Sequence, residues 1–234
     1  MMKYTMGIDI GTTSVKAVLI STEGRIIAEA NCAHDLMSPH TNWAEENADI
    51  WWENTIRAVK KLAAERPEEI KQVSCIGCSG MVPAIVMLDG NGFPIRNTIQ
   101  QNDARAVKQI AHIAETIDQE ELFSRTGGYT NQQHVVPRLL WVKENEPEIW
   151  AKCRKVLGSY DYIVYKLSGT YSLEINWAVE SGAYDIHNRC WIDEYLTPFG
   201  MSQELFPQVN ASMSIVAETL PEMEELMGMS DRII

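Results

Sequence analysis

The sequence is short of positive charge, with 20 Lys and Arg against 32 Asp and Glu, a formal net charge of −12. A surface of that sign repels phosphate backbones and anionic lipid headgroups, so nucleic-acid or membrane-surface binding is not expected. Long apolar runs are missing too. No stretch reaches the ~20 residues that span a bilayer. Met1-Met2-Lys3-Tyr4-Thr5 leads straight into a strand pattern with no signal-peptide core. Cysteine is sparse, and five scattered thiols (Cys32, Cys75, Cys78, Cys153, Cys190) fit no disulfide framework. These absences lead us to expect a cytoplasmic protein. Cys75 and Cys78 form a C-x-x-C, but in an apolar segment without a second cysteine pair or a nearby His, so a structural role is expected. Low-complexity segments, internal repeats and linkers are absent as well.

What is present suffices for a core. Of 234 residues, 45% are apolar, with seven Trp and eight Tyr, on a length that suits one large α/β domain or two small ones. The opening reads as three strands, Tyr4–Asp9, Val15–Ser21 and Ile26–Cys32, joined by a Gly-Thr-Thr turn and by a hairpin turn at Thr22-Glu23-Gly24. Doubly wound folds alternate strand and helix, so consecutive antiparallel strands point elsewhere. A helix capped by Asn47 follows, with Trp52, Ile56, Val59 and Ala63 at helical spacing and Pro67 closing the region. Strands are expected at Val73–Cys78 and Ala84–Leu88. Helices are expected at Ala104–Glu115, Val135–Glu144 and Tyr160–Leu167, the last capped by Ser159 and ended by Gly169. The Met-rich stretch from Met213, with Leu220 and Leu226, reads as one apolar helix face.

The chemistry concentrates in Gly7-Ile8-Asp9-Ile10-Gly11-Thr12-Thr13-Ser14-Val15-Lys16. An acidic residue ends an apolar strand and a tight turn follows at once. Gly11 lets the backbone approach a ligand closely. The N–H groups and hydroxyls of Thr12 and Thr13 can surround phosphate oxygens. Asp9 is placed to hold phosphate-bound Mg²⁺, which takes one or two carboxylates alongside phosphates, and Lys16 adds positive charge. Because a strand rather than a helix follows, this is neither a Walker loop nor a dinucleotide fingerprint.

This hairpin resembles the phosphate-binding hairpin of the actin-like ATPase superfamily, in particular the FGGY carbohydrate kinases. The resemblance continues through Trp43-Ala44-Glu45-Glu46 with Asp49-Ile50-Trp51-Trp52, Gly77-Cys78-Ser79-Gly80-Met81, Asn102-Asp103-Ala104-Arg105, Pro137-Arg138-Leu139-Leu140-Trp141, and Asp161-Tyr162 with Leu167-Ser168-Gly169. It implies an RNase H-like α/β domain whose mixed sheet begins with three antiparallel strands and carries helices on both faces. It implies ATP and Mg²⁺ as cofactors, with Asp9, Gly11, Thr12, Thr13 and Lys16 facing the β- and γ-phosphates. It implies a small sugar as substrate, with Met81 on a sugar-contacting loop, Asp103 accepting hydrogen bonds from sugar hydroxyls and Arg105 orienting the site. A homodimer is a possible assembly.

Residues 1–234 are then expected to be the sugar-binding N-terminal half, the nucleotide-binding C-terminal domain and the catalytic Asp lying beyond Ile234. The 234-residue chain alone is expected to show no kinase turnover. Xylulose kinases of the family carry Gln-Met-His-Gly where this chain reads Met81-Val82-Pro83-Ala84, and Trp-Asn-Asp-Gly-Arg where it reads Gln101-Asn102-Asp103-Ala104-Arg105. The substrate readings are therefore a pentulose such as xylulose, or an autoinducer-2-like or polyol substrate. Two rivals come from other classes. Gly77-Cys78-Ser79-Gly80-Met81 nearly matches a hydrolase elbow, although His34, His40, His112, His134 and His187 offer no obvious base partner. A non-catalytic actin-like ATP-binding module would share the Gly-Thr-Thr hairpin.

Overall fold

The computed structural model describes residues 4–229 and residue 233; Met1-Met2-Lys3, Ser230-Asp231-Arg232 and Ile234 lie outside them. Apolar alternation at the start makes a four-stranded sheet. Strands β1 (Tyr4–Ile10), β2 (Ser14–Ser21) and β3 (Ile26–Ala33) run antiparallel in a meander. Helix α1 (Ala48–Glu65) returns the chain, and β4 (Val73–Gly80) joins β1 in parallel, giving the order β3-β2-β1-β4. Period-two patterning sends Met6, Ile8 and Ile10 to one face with Val15, Ala17 and Leu19, all buried. Apart from Ala17, each of these side chains contributes roughly 1.5–3 kcal/mol on burial.

Asn47 caps α1, its side chain accepting from the Asp49 N–H. The buried face is Trp51, Thr55, Ala58, Val59 and Leu62, about one residue round from the expected stripe of Trp52, Ile56, Val59 and Ala63. Two adjacent Trp offered two faces. Trp51 goes inward because its indole N–H finds Glu46 Oε2 at 2.6 Å, whereas Trp52 stays half-buried under the Lys166 ammonium. Pro67 opens a one-turn helix, Pro67–Ile70, rather than ending the region.

The remaining elements follow β4 in the chain. Strand β5 (Val86–Leu88) pairs antiparallel with β6 (Lys155–Leu157). The further helices are α2 (Val107–Thr116), α3 (Gln119–Thr126), α4 (Val135–Asn145), α5 (Ser159–Ser168), α6 (Ile175–Glu180) and α7 (Pro221–Met227), of which α5 and α7 pack against α1. Helix α2 starts three residues later than expected because Asp103 and Arg105 are drawn into a buried ion network. Helix α3 was not foreseen, although Asp118 caps it by accepting from Glu120 N and Glu121 N, and Gly127 closes it in the left-handed region. Ser159 is not the cap of α5. It is the first helical residue, fully buried, and its hydroxyl donates to Met81 O at 2.8 Å. Gly169 does end that helix, with φ +72°. The expected Met-rich helix is only α7; Met213 is fully exposed outside it and Met227 is buried.

Helices were expected on both faces of the sheet. Among the described residues, α1 and α5 pack on the face of Ile8 and touch each other, Tyr162 Oη donating to Asp49 Oδ1 at 3.1 Å. The opposite face, carrying Gly7, Asp9, Lys16, Val18, Gly77 and Ser79, walls an open cavity of about 960 Å³.

Candidate functional site

The antiparallel register of β1 and β2 sets Asp9 opposite Lys16, and the parallel register of β1 and β4 sets Asp9 beside Ser79. All three side chains therefore emerge on the open face at the carboxyl end of β1, in the cavity wall. Ser79 Oγ donates to Asp9 Oδ1 at 2.8 Å. This fixes one carboxylate oxygen and leaves Oδ2 toward the turn, 3.9 Å from where a Cβ on Gly11 would stand. The turn itself is closed by Gly11 N donating to Ser14 O at 3.0 Å. That same Cβ would lie 3.2 Å from Ser14 O, so a side chain at Gly11 would push on the main chain of the turn. Thr12 is half-buried and Thr13 exposed. The structure thus brings Asp9 and Lys16 together on the cavity wall, with Gly11, Thr12 and Thr13 directly beyond the strand end.

Met81 follows β4 and is anchored at both main-chain atoms, its N–H donating to Ile10 O at 3.0 Å and its C=O accepting from Ser159. It therefore stands next to the end of β1. Behind it, Arg138 of α4 is fully buried and donates to Pro83 O, Gln100 O and His134 O, and to Gln133 O. Burial pulls its guanidinium down to about 10, so it stays charged at neutral pH. One side chain thereby ties the segment after Met81 to the segment before Asp103.

Asp103 and Arg105 lie apart from the cavity wall and engage each other. Arg105 Nε donates to Asp103 Oδ1 at 2.9 Å and Nη2 to Oδ2 at 2.8 Å; Ala44 N and Arg105 N supply two more donors. Arg105 also pairs with Glu45 at 2.7 Å and lies 3.8 Å from the Trp43 ring centroid and 4.9 Å from that of Trp141. Arg96 extends the network to Glu45 and Glu146. Asp103 has no solvent-exposed surface, and both its oxygens are occupied by protein donors. The neighbouring Asn102 is exposed. Nothing in the local sequence Asn102-Asp103-Ala104-Arg105 signals this burial, because its partners come from residues 43–45, 96 and 141.

Three features went unread in the sequence. Ser79 on Asp9 was legible in principle, as a polar residue on the outward phase of β4. Arg138 was noted only as part of a motif. His34 offers Ser79 no base, as expected, but it has a buried partner that the sequence did not signal: Nε2 lies 3.0 Å from Glu46 Oε2. Ser79 has Asp9 and no His as its partner among the described residues, and β4 runs on through it to Gly80, so the strand-to-helix elbow of a hydrolase is not formed. Burial pushes the Cys78 thiol up to about 12, which keeps it protonated at neutral pH.

The family described as the FGGY family of carbohydrate kinases, N-terminal domain, matches residues 4–234. The chain belongs to that family. Among curated FGGY relatives, a xylulose kinase of Bacillus subtilis (strain 168) is 28% identical over 231 residues, covering 99% of this chain and 46% of the relative. A gluconokinase of Bacillus licheniformis is also 28% identical, covering 97% and 44%. The xylulose kinase structure from Rhodospirillum rubrum superposes with a TM-score of 0.93 at 31% identity, covering 97% of this chain and 47% of that one. The chain spans about half the length of the curated relatives it matches.

Proposed function

We propose that this FGGY domain is the sugar-binding half of an ATP-dependent kinase that moves the γ-phosphoryl group to a hydroxyl of a small sugar. A pentulose such as xylulose is the first candidate, since relatives of that name recur among the matches; gluconate, named by another relative, is the second. The observation that carries the reading is the Asp9 carboxylate on the wall of an open cavity, facing Lys16, with the Gly11-Thr12-Thr13 turn directly beyond it. Phosphoryl transfer is mostly positioning and charge stabilisation, and this is the equipment it needs.

The donor set fits Mg²⁺, a hard cation that prefers one carboxylate plus phosphate oxygens. Asp9 would hold it, with Ser79 orienting the carboxylate. A bound Mg²⁺ would neutralise charge on the phosphates. Lys16 supplies further positive charge, and the N–H groups and hydroxyls of Thr12 and Thr13 supply directional donors. On the sugar side, Met81 forms an apolar wall, and Asp103 with Arg105 holds the loop that presents Asn102. For Asp103 itself to accept from a sugar hydroxyl, Ala44 or Arg105 must release a bond. Residues 1–234 act as one domain in this scheme, and the catalytic base and adenine site are supplied from outside them.

Sugar recognition separates this reading from an ATP-only module. With ¹³C-methyl-labelled methionine, D-xylulose titrated into the chain is expected to shift the Met81 methyl signal, with D-gluconate and glycerol as comparisons. No response to any sugar, alongside a response of Asp9–Lys16 amides to Mg²⁺·ATP, would point to the module instead.

A further inference from the structure

We propose that His34 and Glu46 form a positioning pair that fixes the phosphate-facing turn, an inference that rests on reading Gly11–Thr13 as the anion cradle. His34 lies one residue past β3 and touches the turn twice. Its main-chain N–H donates to Thr13 O at 3.0 Å, and its ring Nε2 lies 3.0 Å from Gly11 O. Two of the three carbonyls of the Gly-Thr-Thr segment are thus held by one residue.

The hydrogen bonds determine the tautomer. Nε2 faces two acceptors, Gly11 O and Glu46 Oε2, so it carries the proton. Nδ1 faces Asn54 Nδ2 at 3.4 Å. That amide cannot be reversed, because its nitrogen also donates to Cys32 O and Ala33 O while its Oδ1 accepts from Arg57. Nδ1 is therefore the acceptor. Glu46 is held in turn from α1, Oε2 accepting from Trp51 Nε1 at 2.6 Å. The two side chains are only 3% and 1% exposed, so neither reaches a ligand directly. Glu46 Oε1 has no hydrogen-bond partner among the described residues, which is a cost to the fold.

The consequence follows from peptide geometry. In a trans peptide the C=O and the following N–H point in opposite directions. Drawing the Gly11 carbonyl toward His34 turns the Thr12 N–H away from it, to the open side of the turn. A chain of contacts from α1 through Trp51, Glu46 and His34 to Gly11 thus sets the direction of a phosphate-facing donor. This gives preorganisation from residues that do not touch the ligand.

The test uses the ¹⁵N-labelled 234-residue chain with Mg²⁺·pyrophosphate as the probe, comparing wild type with His34→Leu, His34→Gln and Glu46→Gln. Glutamine can place a donor near the Nε2 position. His34→Leu is expected to shift the Thr12 amide resonance, speed its hydrogen exchange and weaken pyrophosphate binding roughly tenfold, as loss of one well-made hydrogen bond would. His34→Gln should restore most of each effect, and Glu46→Gln should fall between. An unchanged Thr12 signal and affinity in His34→Leu would overturn the proposal, as would a natively folded His34→Gln no better than His34→Leu. If wild type fails to bind pyrophosphate, the cradle reading fails. The Thr12 resonance and its rescue by Gln still decide whether His34 positions the turn. If His34→Leu does not fold, Glu46→Gln decides: a displaced Thr12 signal upholds the pair and an unmoved one overturns it.

Discussion

His134 stands at the entry to α4, buried against Gly182 and Gly128, and close to the Arg138 guanidinium. Burial first, and then the positive charge of Arg138, lowers its imidazole to about 4. The unfolded chain takes up a proton near the ordinary value of about 6.5. Between the two values the unfolded state binds more protons, so stability falls as pH drops from about 6.5 to about 4 and is fully retained above that window. The loss is on the order of 3 kcal/mol. Urea midpoints at pH 7 and pH 4.5 should separate widely for wild type and less for His134→Gln; equal separations would contradict the assignment. The same burial explains what single residues concealed in the sequence. Asp9 and Lys16 were legible because strand pairing alone brings them opposite each other. Asp103 and Arg105 were legible as a motif but not as an enclosed pair, because their surroundings are assembled from Trp43, Glu45, Arg96 and Trp141.

At the scale of elements, α1 links the sheet to the turn. Its N-terminus is set by Asn47, whose side-chain oxygen accepts from Asp49 N at 2.8 Å, and its first turn places Trp51 over Glu46. Replacing Asn47 by Ala should cost about 1 kcal/mol in chemical denaturation, and Asp should recover most of it. A loss shared equally by Ala and Asp would show that something other than the cap is at work. Strands β1 to β4 were readable because alternation with a two-sided environment is a strong signal. Helix boundaries were less readable where side chains had better partners than the helix offered. Ser159 bonds Met81 rather than capping, and Ala104 N bonds Asn42 O instead of opening α2. In α3, the cap Asp118 and the terminator Gly127 were both present in the sequence, but the segment between them has little apolar character to mark it.

At the scale of the molecule, an acidic chain folds into a sheet that helices cover on the face of Ile8, with the Gly11–Thr13 turn beside the face that is open among the described residues. No helix among the described residues is long and apolar enough to cross a membrane. The FGGY architecture was legible because the meander of β1–β3 and the order of short motifs both point to it, and the match over residues 4–234 agrees. The central claim is that Asp9 and the Gly11–Thr13 turn receive a Mg²⁺-bound polyphosphate. Calorimetric titration of the chain with ATP, with and without Mg²⁺, addresses it most directly. The account predicts binding that requires Mg²⁺ and weakens at least about tenfold in Asp9→Asn, as removal of a charge-assisted contact would. Binding that ignores both Mg²⁺ and the Asp9 substitution would contradict it.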